Sequence, residues 1–320
     1  MAIDRLLSLG FERVQAPEFA LESLQVDRDT LLVTMSRPAM GTLVAISALD
    51  RSAARLEDAM NRAFAEMDRL IAIFSRFEAD SALAALNDTG QLVAPPPELA
   101  FVVSRALRYH ALTAGSFDVS VAPLVDLFGV GTAPGDADIA AALALVGAQH
   151  VTASPRAIRL DRQGMALTLD GIAKGYIVDR MAHVLAASGV RDSLVNAGGD
   201  IRASGTREHG RPWTVGVWDP DAPGEFPDVV TLSNAAVATS GKYVRGDHLV
   251  DGRTGRSPSH HVSVSILAPT AIAADALATA VFVLDAPRGL ALVESLAHCD
   301  CLILDANGRQ FRSSGWRKEP

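Results

Sequence analysis

The chain has 320 residues, a formal net charge of −8, and 49% hydrophobic against 21% charged residues. That is the balance of a globular protein of one large domain or two medium ones, and without a basic block it argues against a nucleic-acid partner. The two cysteines, Cys299 and Cys301, are too few for a zinc centre and poorly spaced for a mutual disulfide, so both read as packing residues.

Met1 to Ala20 interleaves Asp4, Arg5, Glu12, Arg13 and Glu18 with apolar residues. It holds no long uncharged stretch, and no cysteine follows it that could carry a lipid. No later segment reaches the length of a membrane span. The expectation is a cytoplasmic protein with no membrane span, in which residues 1–29 extend a single domain over residues 30–320.

Residues 30–48 suggest two strands broken around Pro38–Ala39–Met40–Gly41. From Ala53 to Phe74, Leu56, Met60, Phe64, Met67, Leu70 and Ile71 recur at helical spacing. Short helices follow at Ser81–Leu86 and from Pro95–Pro97 to about Ala114, then a turn at Gly115–Ser116–Phe117–Asp118. A helix over 136–146 precedes short strands within 149–169. Gly171–Ile172–Ala173–Lys174–Gly175 opens a helix that ends near Ser188–Gly189. Strands are expected at 193–195, 201–203, 214–218, 229–232, 236–238, 248–250 and 262–267. Gly205–Pro212 and Asp219–Pro227 read as exposed loops. Helices near 271–284 and 288–296 and a last strand close the chain. Without a regular βαβ rhythm, the fold class is α+β, with mixed sheets and packed helices.

Four segments carry chemistry. In Ala274–Asp275–Ala276–Leu277–Ala278–Thr279–Ala280, a carboxylate and a hydroxyl lie just over one helical turn apart, on one face. A buried aspartate there needs a charged or hydrogen-bonding partner, and a hard cation such as Mg²⁺ is one candidate; a helix cap is the other. Asp170 to Asp179 is a glycine-rich helix entrance suited to an anion, with Lys174 as a point charge, or else a plain strand–turn–helix junction. Asn196–Ala197–Gly198–Gly199–Asp200 allows a tight turn or a backbone nest for a phosphate. His248 starts a short apolar strand that turns at Asp251–Gly252, a place suited to proton transfer. His260 and His261 read as a surface pair, and His110 and His298 as members of helical runs. No nucleophile elbow, phosphate-binding P-loop or dinucleotide fingerprint occurs.

In order, these segments resemble the ApbE family, the FAD:protein FMN transferases, over residues 34 to 285. The likeness also takes in Met40–Gly41–Thr42, Phe74–Ser75–Arg76–Phe77, Ser81 to Asn87, Ser240–Gly241–Lys242–Tyr243 and His248 to Gly255. It implies an ApbE-like, T-fold-like single catalytic module that takes FAD as substrate. Mg²⁺ on the pyrophosphate would be held by Asp275, Thr279 and the carbonyl of Ala173. A Ser or Thr hydroxyl of an acceptor flavoprotein would attack the FMN phosphorus, releasing AMP and leaving FMN as a phosphoester. His248 would take the hydroxyl proton. The resemblance places Met40, Phe77, Ser116, Phe117, Asp118, Asp170 and Tyr176 on FAD, with Lys174, Gly199 and Val250 as further contacts. Phe77 stands where a tyrosine is expected, and Gly252 where proline is common. Two rivals share the site: an FAD pyrophosphatase giving FMN and AMP, and an FAD-binding or delivery protein.

Overall fold

The computed structural model describes residues 20–128, 134–217, 228–241 and 249–316. Three strands open it: β1 (Ala20–Gln25), β2 (Leu31–Ala39) and β3 (Thr42–Asp50). β1 lies inside the stretch read as an extension and pairs antiparallel with β2. Its side chains are mostly exposed, so no apolar alternation marked it in the sequence. In β3, Val44, Ile46 and Ala48 alternate into the core.

Helix α1 (Ala53–Phe74) starts at Ser52, whose side chain accepts from Arg55 N–H. It buries Leu56, Met60, Phe64, Met67, Leu70 and Phe74, the face expected from their spacing. α2 (Ala82–Thr89) is capped by Ser81 and stopped by Gly90 in the left-handed region. β4 (Gln91–Val93), α3 (Pro97–Leu112), α4 (Ala122–Phe128), α5 (Asp136–Leu143), β5 (Val151–Ala153) and β6 (Ala157–Leu160) follow. β4 and β5 flank β6 in a small sheet. Residues 165–169, expected to carry strand, do not join it, because Thr168 N–H bonds to Val119 O instead.

The remaining elements are α6 (Ala173–Ala187), β7 (Asp192–Ala197), β8 (Asp200–Ser204), β9 (Trp213–Val217), β10 (Asp228–Leu232) and β11 (Ala236–Gly241). β12 (His261–Ala268), α7 (Ala271–Val283), α8 (Ala286–Glu294), β13 (Asp300–Asp305) and β14 (Gln310–Arg312) complete them. The main sheet runs β1-β2-β3-β7-β8-β11-β12-β13-β14, and its paired strands are antiparallel. Residues of α1, α6 and α7 share one core with one face of this sheet. The β9–β10 hairpin covers the other face, where Trp213, Val215 and Leu232 meet Leu302, Leu304 and Trp316. The fold is α+β. α7 is buried nearly all round, which accounts for its uniformly apolar composition.

Some expectations need correcting. His261 is only 3% exposed and opens β12, with His260 stacked edge-on against it. Nε2 of both rings meets Leu284 O, an acceptor, so both rings carry their proton on Nε2. His298 sits in the turn after α8, at φ +60°. Leu249 and Val250 are buried but not in a strand, and Asp251 bridges to Arg256. His248 and the loop 219–227 lie outside the described residues. Both cysteines are free thiols, Cys301 buried and Cys299 partly so. Among the described residues, no helix is long and apolar enough to cross a membrane.

Candidate active site

Two hairpins end side by side at one edge of a pocket. Ala39 pairs with Thr42 and Ala197 with Asp200, so Met40–Gly41 and Gly198–Gly199 are two-residue turns. All four residues have positive φ, the mark of the turn that suits strand twist. Glycine takes this freely, but Met40 at φ +51° is strained. A Cβ on Gly198 would lie 2.8 Å from Thr42 Cβ, so only glycine lets the hairpins touch. Because β3 pairs with β7, both turns come to the same sheet end, and Met40, Gly41 and Gly198 line the pocket.

Opposite stands the entrance of α6. Gly171 and Lys174 line the pocket with Asp170, Asp200, Asp275 and Thr279. Lys174 Nζ donates to Asp200 Oδ2 at 2.5 Å. Arg76 reaches Asp170 at 3.8 Å. Asp275 is 4% exposed, and its Oδ2 accepts Gly175 N–H at 2.9 Å. Burial pushes its carboxyl well above the usual range; the charge of Asp200 adds to this and Lys174 opposes it. Thr279 is one turn further along the same face of α7. Carboxylates thus outnumber the lysine, and every donor from α7 is oxygen. A hard divalent cation fits this set, because it would relieve a carboxylate that burial holds away from its charged form. Among the described residues no group of three or more His, Cys, Asp or Glu side chains is arranged to hold a metal ion, so such a cation would take few side-chain ligands.

The wall from Ser116 to Val121 is held from behind. Asp118 Oδ1 accepts from Ser120 N–H at 2.8 Å and Ser120 Oγ–H at 2.5 Å. Its Oδ2 accepts from Ala148 N–H at 3.1 Å and faces His110 Nδ1 at 3.3 Å. His110 Nδ1 also meets Phe117 O at 3.1 Å; both partners are acceptors, so this nitrogen carries a proton. The bond to Asp118 raises the His110 pKa. Burial alone would raise Asp118, but the bonds from His110 and Ser120 outweigh it and hold the carboxyl low. Asp118 therefore braces the wall with its carboxylate turned inward. Ser116 Oγ, by contrast, is buried without a hydrogen-bond partner on the pocket wall, a polar atom suited to a ligand.

Of the residues singled out from sequence, Met40, Ser116, Phe117, Asp118, Asp170, Lys174, Val250, Asp275 and Thr279 come together around this pocket. Phe77, Ala173, Tyr176 and Gly199 are not on its described wall. Phe77 is 73% exposed, with Arg76 stacked 4.6 Å over its ring. Tyr176 packs between Phe74 and Phe101 at 5.7 and 5.6 Å. Ala173 is buried at the start of α6, and Gly199 N–H bonds Asn196 Oδ1 in its turn. Asp200, which the sequence places in the glycine turn without a role of its own, is a site residue. Its signal was position, directly after the paired glycines.

The ApbE family model matches residues 40–303. An FAD:protein FMN transferase of Vibrio cholerae is 31% identical over 285 residues, 82% of this chain and 84% of that protein. One from Escherichia coli is 31% identical over 278 residues, 80% of this chain and 79% of that one. Among solved structures, an ApbE protein from Thermotoga maritima superposes with a TM-score of 0.81 at 28% identity, covering 92% of this chain and 97% of that one. The flavin transferase ApbE of Vibrio cholerae gives 0.79 at 28% identity, covering 92% and 98%. With a family match across most of its length and the same fold, this chain belongs to the ApbE family.

Proposed function

We infer that this chain is an FAD:protein FMN transferase working at the pocket between the paired hairpins and the α6 entrance. The observation that carries the reading is the placement of Asp275 and Thr279. A buried carboxylate and a hydroxyl share one face of α7 and meet the pocket beside the first turn of α6. Family membership supplies the reaction.

In this reading the acceptor's Ser or Thr oxygen bonds to the FMN phosphorus of FAD. The bond from that phosphorus to the bridging oxygen breaks, AMP leaves, and FMN remains as a phosphoester. Asp275, Thr279 and the Ala173 carbonyl would hold Mg²⁺, which neutralises charge on the pyrophosphate. Ser116 Oγ and Lys174 orient FAD, and the hairpin glycines let backbone approach it closely. His248 takes the hydroxyl proton, a role worth about 10²- to 10⁴-fold in rate. Phe77, an exposed ring, would meet FAD or the acceptor.

Intact-mass spectrometry of an acceptor flavoprotein incubated with this protein, FAD and Mg²⁺ tests the reading. A gain of one FMN, lost with a chelator, is expected. FAD split to FMN and AMP with no gain on the acceptor would instead make the protein a pyrophosphatase. His248→Ala should bind FAD nearly as well and transfer slowly; equal loss of both would make His248 structural.

A further inference from the structure

The contacts between α6 and α7 form a ladder. Gly171, just before α6, faces Thr279: a Cβ there would lie 2.7 Å from Thr279 Oγ1. Four residues on, Gly175 faces Asp275, with its N–H on Oδ2 and room for no Cβ, which would stand 2.8 Å from Asp275 Cβ. Four further on, Asp179 faces the start of α7. Its Oδ1 accepts Ala271 N–H and its Oδ2 accepts Ile272 N–H, each at 2.9 Å. Both chains step by four in opposite directions, so the three rungs lie along one seam. The lower two rungs carry the residues read above as cation ligands. The third does not reach the pocket.

We propose that Asp179 is a positioning residue for the cation site: it sets the height and rotation of α7 against α6, and so the placement of Asp275 and Thr279. This rests on the reading that those two residues hold the cation. Thr270, the residue at the N-cap of α7, makes no side-chain cap bond. The capping of the first turn passes to a carboxylate on the neighbouring helix. The two adjacent amides each meet a separate oxygen of one group, a pair that a carboxylate offers and an amide side chain does not. The negative charge also suits the helix N-terminus. Asp275 is one turn beyond Ala271, so a shift at the first turn is carried to it through the rigid helix.

The test is Asp179→Asn, which keeps the shape but turns an NH₂ against one amide. Mn²⁺ binding to the FAD-loaded protein is read by the loss of the free-ion electron-spin signal. The expected result is binding weakened by about 10- to 100-fold, the usual range for a partner one shell out from a metal. FAD binding without cation should stay within about twofold, and high Mg²⁺ should restore part of the turnover. Val281→Ala, a buried truncation further along α7, controls for simple destabilisation: it should lower Tm and keep Mn²⁺ affinity. Native Mn²⁺ affinity in Asp179→Asn would overturn the proposal, as would an equal loss in Val281→Ala. If Asp179→Asn does not fold, Asp179→Glu takes its place. It keeps both oxygens but moves them by a methylene, and unchanged Mn²⁺ affinity there overturns the proposal equally. Asp275→Ala separates the two levels. If it abolishes binding while the Asp179 variants do not weaken it, only the positioning role fails. If the native protein binds no Mn²⁺, or Asp275→Ala binds it as well as native, the cation site itself is wrong.

Discussion

Gly175→Ala isolates the geometry of the site from its chemistry, because it removes no functional group. The added Cβ would start 2.8 Å from Asp275 Cβ and closer still to the Ala271 carbonyl oxygen. Carbon contacts settle at about 3.5–4.0 Å, so α6 and α7 must part by about 1 Å. The Gly175 N–H to Asp275 Oδ2 bond, 2.9 Å in the native protein, then stretches beyond hydrogen-bond range. Overpacking of this kind costs about 1–3 kcal/mol. Alanine recovers about 1 kcal/mol of helix propensity over glycine. The net loss is therefore about 0–2 kcal/mol, or a few degrees of Tm for a domain of this size. Turnover should suffer far more, since about 1 Å of misplacement at a reacting centre can cost about 10²-fold. FMN transfer measured well below Tm, beside a thermal melt, separates the two effects. Native turnover with an unchanged Tm would refute the close approach of the two helices and with it the argument for a glycine here.

Two further perturbations test the electrostatics of buried histidines, one of them behind the pocket wall. His261 is buried with its pKa pulled down to about 4, first by desolvation, from an unfolded value of 6.5. The unfolded chain takes the proton first as pH falls, so His261 removes up to about 3 kcal/mol of stability between pH 6.5 and 4. His261→Gln can still donate to Leu284 O and does not titrate there, so its Tm should fall less steeply over that window; parallel melts against pH would discount the burial. The His110 pKa is raised instead, so its bond to Asp118 contributes fully below pH 6.5 and fades as pH rises through the folded value. Native protein should therefore lose its advantage over His110→Gln as pH rises from 6 to 9, and a constant Tm difference would mean that the pair is not charged.

What the sequence made legible was local. The spacing in α1 named its buried face, and the interval between Asp275 and Thr279 put both on one side of α7, because a helix fixes that relation by itself. The paired glycines at 198–199 marked a turn for the same reason. What it could not show was which distant groups meet. Asp200 is 26 residues from Lys174 and salt-bridged to it. Asp118 lines the pocket, and the groups that bond its carboxylate, from Ser120, Ala148 and His110, are ones that only the tertiary fold gathers. β1 escaped notice because an exposed edge strand needs only backbone pairing, and His261 because burial depends on what α7 and its neighbours cover.

These two kinds of information meet at the α6–α7 seam. Glycine at 171 and 175 is a local choice whose purpose lies a hundred residues away, since each is small only so that Thr279 or Asp275 can come close. Asp179 completes the pattern with an acidic side chain where the next turn meets helix amides instead of a side chain. The four-residue rhythm of Gly171, Gly175 and Asp179 is thus the imprint, on one helix, of the helix packed against it. A pair of oxygens on an apolar helix becomes a candidate cation site because the opposing helix carries that imprint in register.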